Sequence, residues 1–149
     1  ERGRLSEGAS FVERAEPILA EPPDPAASVG LRHIQAMIAV AQGRYADAVA
    51  ACIDGRRLAG ELRARHFVEP VLRQWELRAR LRLGEVEAVR AALALTEPSA
   101  QTCNLMAHVR LLDGDPDGAL QAVAPVLAGD VLVPHVNVEI EALLLPSGA

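Results

Sequence analysis

The sequence contains no lysine and very few aromatic residues. All 15 basic residues are therefore arginine, and aromatic side chains make up only 3% of the 149 residues. Half of the residues are hydrophobic, so the composition favours a folded chain over a disordered one, with a core built mainly from alanine, leucine and valine. Such a composition indicates closely packed helices and offers few rings on which nucleic-acid bases could stack.

The chain also lacks the basic surface that nucleic-acid binding needs. Its formal net charge is -5, whereas neutralising phosphates requires an excess of basic side chains. The richest arginine cluster, Arg73 to Arg82, is interrupted and flanked by glutamates, namely Glu69, Glu76, Glu85 and Glu87. This pattern favours a solvated, salt-bridged helix face over the alternative of a phosphate site.

Only two cysteines occur, Cys52 and Cys103. They form no metal-binding motif and predict no disulfide framework, and their apolar neighbours favour small core residues. No apolar run reaches the roughly 18–20 residues of a membrane span, and no signal peptide is evident. We therefore expect a cytoplasmic chain without a membrane segment, cut from a larger protein.

What the sequence does contain is a recurring phrase centred on glycine. Gly43, Gly84 and Gly114 each separate two helical patterns, and a similar phrase begins at Gly3; the intervals are about 40, 41 and 30 residues, typical of stacked helical hairpins. Glycine permits the left-handed conformation that ends a helix. A small or short apolar residue follows each turn glycine by five positions, which lets the return helix approach its neighbour: Ala48, Val89 and Ala119.

Capping signals and periodicity predict the individual helices. Asp24 and Pro25 begin a helix that runs to about Ala41, Ser99 caps one that runs through Leu112, and Asp115-Pro116 opens another. Apolar stripes at helical spacing are expected to face inward: Leu5, Val12, Ala15 and Leu19; Tyr45, Ala48, Val49, Cys52 and Ile53; Val68, Val71, Leu72, Trp75 and Ala79; Val86, Val89 and Leu93; Ala119, Leu120, Val123 and Leu127.

Two stretches depart from a plain helical pattern. "ELRARLRL" (76–83) alternates polar and apolar residues like a strand, but its strong helix formers favour a helix. Pro70 is expected in or near the first turn of that helix, or else to kink it. Residues 128–135 are predicted to form a loop, and Val136 to Leu145 to begin one more helix.

These patterns predict an all-α fold of stacked antiparallel helix pairs. We expect a single helical-repeat domain over residues 1–149, with about three hairpins and partial ones at the ends. Terminal repeats without neighbours expose apolar faces, so we also expect self-association through the first or last helix.

The phrase "GRYADA" (43–48) resembles the tetratricopeptide-repeat signature, in which an aromatic residue follows the turn glycine by two positions and alanine follows by five. "GEVEAV" and "GDPDGA" match degenerately, because Val86 and Pro116 replace the aromatic residue and Val89 replaces the second alanine. The intervals also depart from the standard repeat of roughly 34 residues. The resemblance implies a degenerate tetratricopeptide-like right-handed solenoid.

Nearly the whole chain is similar to the degenerate repeat region of large LuxR-type, MalT-like bacterial transcriptional regulators. The similarity lies in "RAEPILAEPPDP", "IAVAQGRYADAVAAC", "RLRLGEVEAVRAALA", "VRLLDGDPDGALQAVAPVLAG" and "EALLL". Members of that family carry a nucleotide-binding module before the repeats and a helix-turn-helix domain after them. The resemblance implies a sensor segment that binds an effector small molecule, protein or peptide and reaches DNA only through a domain outside this chain.

The sequence itself contains neither the phosphate-binding loop G-x-x-x-x-G-K-[ST] nor an evident helix-turn-helix. A free-standing tetratricopeptide-like scaffold for protein–protein interaction, unrelated to transcription, is the alternative.

The tetratricopeptide resemblance also implies which residues line the concave binding face. They stand about ten and six positions before each turn glycine: His33 and Met37, Gln74 and Arg78, Asn104 and His108. The members of each pair are four residues apart and share a helix face. Five of the six are polar, which suits a peptide or small polar ligand, although solvated side chains are the alternative. Arg78 is the strongest candidate because a guanidinium can hold a carboxylate through two bonds; Trp75 and Tyr45 fall at packing positions.

No catalytic or metal site is evident. The four histidines (His33, His66, His108 and His135) have no His, Cys or carboxylate partner at metal-ligand spacing, and no G-x-S-x-G motif occurs. Cys103 and His108 are five residues apart, so on a helix their side chains diverge. We expect no enzyme activity, no cofactor and no metal; an enzyme would need residues assembled from distant helices.

Overall fold

The computed structural model describes residues 2–20, 24–60, 62 and 65–130. These residues form seven helices and no strand: α1 (Arg2–Ala20), α2 (Pro25–Ala41), α3 (Tyr45–Ala59), α4 (Arg65–Arg82), α5 (Val86–Leu93), α6 (Ala100–Leu112) and α7 (Pro116–Leu127). The all-α prediction is therefore confirmed for the described residues. The helix predicted from Val136 to Leu145, and all but the first three residues of the loop before it, lie outside them.

The chain divides into two compact units, Glu1–Glu85 and Val86–Ala149. In the first unit, α2 packs against α1, α3 and α4, and α3 also packs against α4. In the second unit, α6 packs against both α5 and α7. The single helical-repeat domain over residues 1–149 stays a prediction.

Each turn glycine ends a helix in the left-handed conformation. Gly43 has a φ of 76°; its amide donates to the carbonyl of Val40 at 3.0 Å, and the Arg44 amide donates to that of Ala39 at 2.8 Å. These two bonds define the Schellman motif, which satisfies the last carbonyls of a helix. The same pair of bonds recurs at three more glycines with positive φ, namely Gly84, Gly114 and Gly129. The predicted role of the first three is confirmed, and Gly129, predicted as part of a loop, ends α7 in the same way.

The predicted helix starts are also confirmed. The Asp24 carboxylate accepts hydrogen bonds from the amides of residues 26 and 27 at the start of α2, and the Asp115 carboxylate accepts one from residue 118 in α7. Ser99 and Thr102 cap α6 reciprocally, each side chain accepting a hydrogen bond from the other's amide. These caps satisfy amides that have no partner within the helix.

Small side chains allow the helices of the first unit to approach closely. Ala39, Ala48 and Ala79, from α2, α3 and α4, meet in one buried cluster, against which Tyr45 and Val49 pack. Ala48 stands five positions after the turn glycine, where close approach was predicted. A second buried cluster combines Val29, Ala59 and Leu72. The predicted core positions of Trp75, Cys52 and Cys103 are confirmed, since all three are buried.

The alternating stretch in α4 is helical, as predicted. Leu77 and Ala79 are both buried, although residues two apart lie about 200° around a helix from each other. Two sides of α4 are therefore covered, which agrees with its packing against both α2 and α3. Pro70 lies inside the helix, beyond the first turn.

Three residues that were predicted to face inward are exposed. Ile53 in α3 is 49% exposed, and Leu120 and Leu127 in α7 are 65% and 80% exposed. The buried residues of α3 are small and form a narrow line along the helix: Ala48, Cys52, Gly55 and Ala59. Ile53 lies about 100° around the helix from Cys52, outside this line. In α7 only Ala119 is buried, because contact with α6 covers a single stripe.

The prediction of a solvated charged face on α4 is wrong for Glu76. It is only 4% exposed, although its neighbours on α4 make the salt bridges that the sequence predicted. Its carboxylate lies 2.5 Å from the Arg56 guanidinium and 2.9 Å from that of Arg80. Two arginines therefore neutralise a carboxylate that α4 turns toward α3.

Candidate functional site

Two of the three predicted ligand-facing pairs lie in the same unit. His33 and Met37 belong to α2 and Gln74 and Arg78 to α4, and these two helices pack against each other. All four side chains are half-buried, so they border the core instead of extending into solvent. We call these four residues the α2–α4 face. The third pair, Asn104 and His108, is half-buried on α6 in the second unit.

The indole of Trp75 connects the two helices of this face. It is buried, and the centroid of the His33 ring lies 6.4 Å from its own, with the planes tilted by 52°. The Arg78 guanidinium carbon lies 5.0 Å from the Trp75 ring centroid, within the range of a cation–π interaction. A core residue therefore also positions two of the predicted binding residues.

His33 has an unsatisfied polar atom. Its Nε2 is buried and has no hydrogen-bond partner. Burial lowers the pKa of the imidazole below the ordinary value of 6.5, because desolvation disfavours the charged form. At neutral pH the ring is therefore neutral and retains one unfulfilled hydrogen bond. Buried polar groups are normally satisfied by protein or by ordered water, and no described protein group satisfies this nitrogen.

Arg32, the residue next to His33, connects three helices of the first unit. Its guanidinium lies 2.7 Å from Glu16 on α1 and 2.7 Å from Asp54 on α3. Hydrogen bonds to these carboxylates raise the pKa of Arg32. The guanidinium groups of Arg57 and Arg32 lower the pKa of Asp54, so the Arg32–Asp54 pair is charged at neutral pH. These contacts fix the position of the α2 residues that border the face.

Glu76 fixes α4 in a similar way. By pairing with Arg56 of α3 and with Arg80 of α4 itself, it ties the two helices together. Arg80 also lies 2.5 Å from Glu85. The sequence shows the charges of α4, but it does not show that Arg56 of α3 is their partner, because residues twenty positions apart leave no local pattern. The contact of Arg78 with Trp75 could have been predicted, since the two residues are three positions apart and share a helix face.

The chemistry of the α2–α4 face suits recognition. A guanidinium can hold an anion, an amide can donate and accept, and the Nε2 atom of a neutral imidazole donates or accepts according to the tautomer. Neither cysteine adds a nucleophile here: burial raises the pKa of Cys52 to about 12, which keeps it protonated, and Cys103 is buried. Within the ranges that the structure describes, no group of three His, Cys, Asp or Glu residues could hold a metal ion.

The lowered pKa of His33 predicts a dependence of stability on pH. Above about pH 7 the ring is neutral in both the folded and the unfolded chain, so it has no effect. As the pH falls through 6.5, the unfolded chain binds a proton that the folded chain rejects, and the free energy of unfolding decreases. In urea unfolding followed by Trp75 fluorescence, His33→Phe should lose less stability than the wild type between about pH 7.5 and 5.5. An identical loss in both proteins would contradict the buried neutral imidazole.

None of the helices in the described ranges is both long and apolar enough to cross a bilayer. No protein-family model, no curated protein and no solved structure matches this chain.

Proposed function

We propose that this chain is a non-catalytic interaction segment that recognises an effector through the α2–α4 face. The observation that carries the proposal is the buried, unpartnered Nε2 of His33 beside the indole that supports Arg78. Leaving a buried nitrogen unpaired costs about 1–3 kcal/mol. A ligand that supplies the missing hydrogen bond recovers this cost, and it gains a charge-assisted contact if it also carries a carboxylate for Arg78.

We further propose that the helices belong to a degenerate tetratricopeptide-like right-handed solenoid. Support comes from the repeated Schellman motifs at Gly43, Gly84 and Gly114. A second support is that the residue five positions after each of them is buried: Ala48, Val89 and Ala119. Helical repeats present side chains of successive first helices on one surface, which suits the binding of an extended ligand.

The parent protein that we propose is a LuxR-type, MalT-like transcriptional regulator, on the strength of the sequence resemblance. In such a protein the effector would act by favouring one arrangement of the repeats, with nucleotide and DNA handled by domains outside this chain. A free-standing interaction scaffold is the second candidate, since it needs only the repeated turns and the α2–α4 face. Thermodynamic linkage distinguishes the regulator from the scaffold. In a regulator, bound DNA must change the affinity for the effector by the same factor by which the effector changes the affinity for DNA.

Trp75 provides a direct test of the face, because it is the only tryptophan in the chain. We would titrate the protein with tetrapeptide pools ending in a free carboxylate and with the matching pools ending in an amide. Binding of the acids should change Trp75 fluorescence, and the amides should bind at least tenfold more weakly because they cannot form the charged bond with Arg78. Arg78→Met should reduce the affinity for the acids to that for the amides.

The matched control is Arg73→Met, which removes an arginine from the same helix. Position 73 lies about 140° around α4 from position 78, so this variant should bind the acid pools like the wild type. Equal loss in both variants would indicate a general effect of charge. Equal binding of acids and amides, or no fluorescence change with either, would contradict recognition of a carboxylate at this face.

A further inference from the structure

The first unit carries an open apolar groove between α1 and α2. Its volume is about 650 Å³, and its walls include Phe11 and Ile18 from α1 and Leu31 and Ile34 from α2. Ile18 is 72% exposed, and Phe11 and Ile34 are exposed as well. A small-molecule pocket encloses most of its ligand, whereas apolar walls this open suit an apolar helix that lies along the groove.

Arg14 is the charged residue of the groove lining. Its Nε donates to the carbonyl of Ser10 at 3.4 Å. Among the residues that the structure describes, no carboxylate lies within ion-pair distance of its guanidinium. The groove therefore combines apolar walls with one positive charge, and the matching occupant is an apolar helix that carries an acidic side chain.

Helix α7 of the second unit has these properties. Leu120, Ala124 and Leu127 follow one another at helical spacing and are all exposed. Asp117, also exposed, continues the stripe one turn earlier. The stripe extends over eleven residues, or about 15 Å from the first to the last, and the groove follows about two turns of α1 and of α2, roughly 11 Å each. We call these four residues the α7 stripe.

We propose that the α7 stripe of one molecule lies in the α1–α2 groove of a second molecule, with Asp117 facing the partner's Arg14. Gly30 belongs to the groove lining, and a Cβ at this position would meet nothing within 4 Å, so the groove is open at this point of α2. The inference does not rest on the proposed effector site, since the two surfaces share no residue.

The contact joins two different surfaces, so it is heterologous, and a dimer still has one unoccupied groove and one unoccupied stripe at its two ends. Association therefore continues beyond the dimer unless a ring closes. A single helix in a groove buries less than the roughly 1,200 Å² of stable interfaces, and we expect weak association that rises with protein concentration.

Sedimentation velocity of the full chain over a range of micromolar concentrations tests the proposal. The wild type should show a weight-average mass that increases with concentration. Gly30→Trp fills the groove and should abolish the increase. Gly30→Ala is its control, because it also replaces glycine by a better helix former but adds only one methyl group to the groove wall. Leu127→Gln removes an exposed side chain of the stripe, with no core contact to lose, and should weaken association at least tenfold.

Exchanging the charges of Arg14 and Asp117 tests whether the α7 stripe is what occupies the groove. Arg14→Glu and Asp117→Arg should each weaken association, because each places like charges opposite one another, and the double variant should restore it to within about twofold. A wild type that stays monomeric throughout would overturn the proposal. Association of the Gly30→Trp variant that equals that of the wild type would also overturn the proposal. Loss in both single variants without recovery in the double variant would exclude the α7 stripe as occupant and overturn it equally.

Discussion

Replacing Glu76 by alanine should lower the free energy of unfolding of the first unit by about 3 kcal/mol. The carboxylate is 4% exposed and pairs with Arg56 and Arg80. Its removal leaves two partly buried guanidinium groups without their main counter-charge. Breaking a buried ion pair from one side costs about 3–5 kcal/mol, because the remaining charge stays desolvated. We expect the lower end, since both arginine side chains are 26% exposed and can partly rehydrate.

Urea unfolding followed by Trp75 fluorescence measures this loss in the unit that contains the network. Glu85→Ala is the matched control: Glu85 pairs with the same Arg80 but is exposed, and exposed pairs contribute roughly 0–1 kcal/mol. Glu76→Gln should fall between the two, because the amide retains one hydrogen bond but no charge. Equal effects of Glu76→Ala and Glu85→Ala would show that burial of the carboxylate does not strengthen its pairing.

Local signals predicted the helix ends well. The bounds of α2 agree with Pro25 to Ala41, and Ser99 and Asp115 cap α6 and α7 as expected. The reason is physical: a cap or a Schellman motif is made by residues within a few positions of each other, so the sequence contains all of its parts. Gly129 ends α7 in the same way as the others, although no tetratricopeptide-like phrase follows it in the sequence.

Burial was harder to predict because it depends on neighbours distant in sequence. Ile53 and Leu127 continue apolar stripes but are exposed, whereas Glu76 looks solvated but is buried. In each instance the outcome depends on how many sides of the helix are covered. Two sides of α4 are covered, while α7 contacts α6 along one stripe. Periodicity gives the direction of a side chain on its own helix and does not show whether another helix lies there.

For the candidate site, too, the positions along each helix were predictable and the contacts between helices were not. Spacing from the turn glycines placed His33 and Met37 on one helix and Gln74 and Arg78 on another, and the structure brings these two helices into contact. The contact of His33 with Trp75 was not predictable from spacing, because the two residues belong to helices that are not adjacent in sequence. The ion pairs of Arg32, which hold α2 against α1 and α3, escaped prediction for the same reason.

Truncating a core residue of the first unit should destabilise it as much as breaking the ion pairs of Glu76. Leu72 is fully buried with Val29 and Ala59, and Leu72→Ala should lower the free energy of unfolding by about 3 kcal/mol, within the 2–5 kcal/mol of such truncations. The loss combines the transfer of the side chain with the cavity that remains. Ile53→Ala is the control, because the sequence predicted this residue to face inward whereas the structure exposes it. Its effect should be below about 1 kcal/mol, since little apolar area is lost.

A double-mutant cycle with Gly55 tests whether the packing around Leu72 is as close as the structure shows. A Cβ at position 55 would lie 3.0 Å from Leu72 Cδ1, 3.3 Å from its Cδ2 and 3.1 Å from Arg32 Cβ, closer than ordinary van der Waals contact. Gly55→Ala should therefore destabilise the first unit despite the better helix propensity of alanine. In the Leu72→Ala background two of the three close atoms are absent, so the same substitution should cost less or become stabilising. Strict additivity of the two losses would mean that α3 and α4 do not meet at these residues.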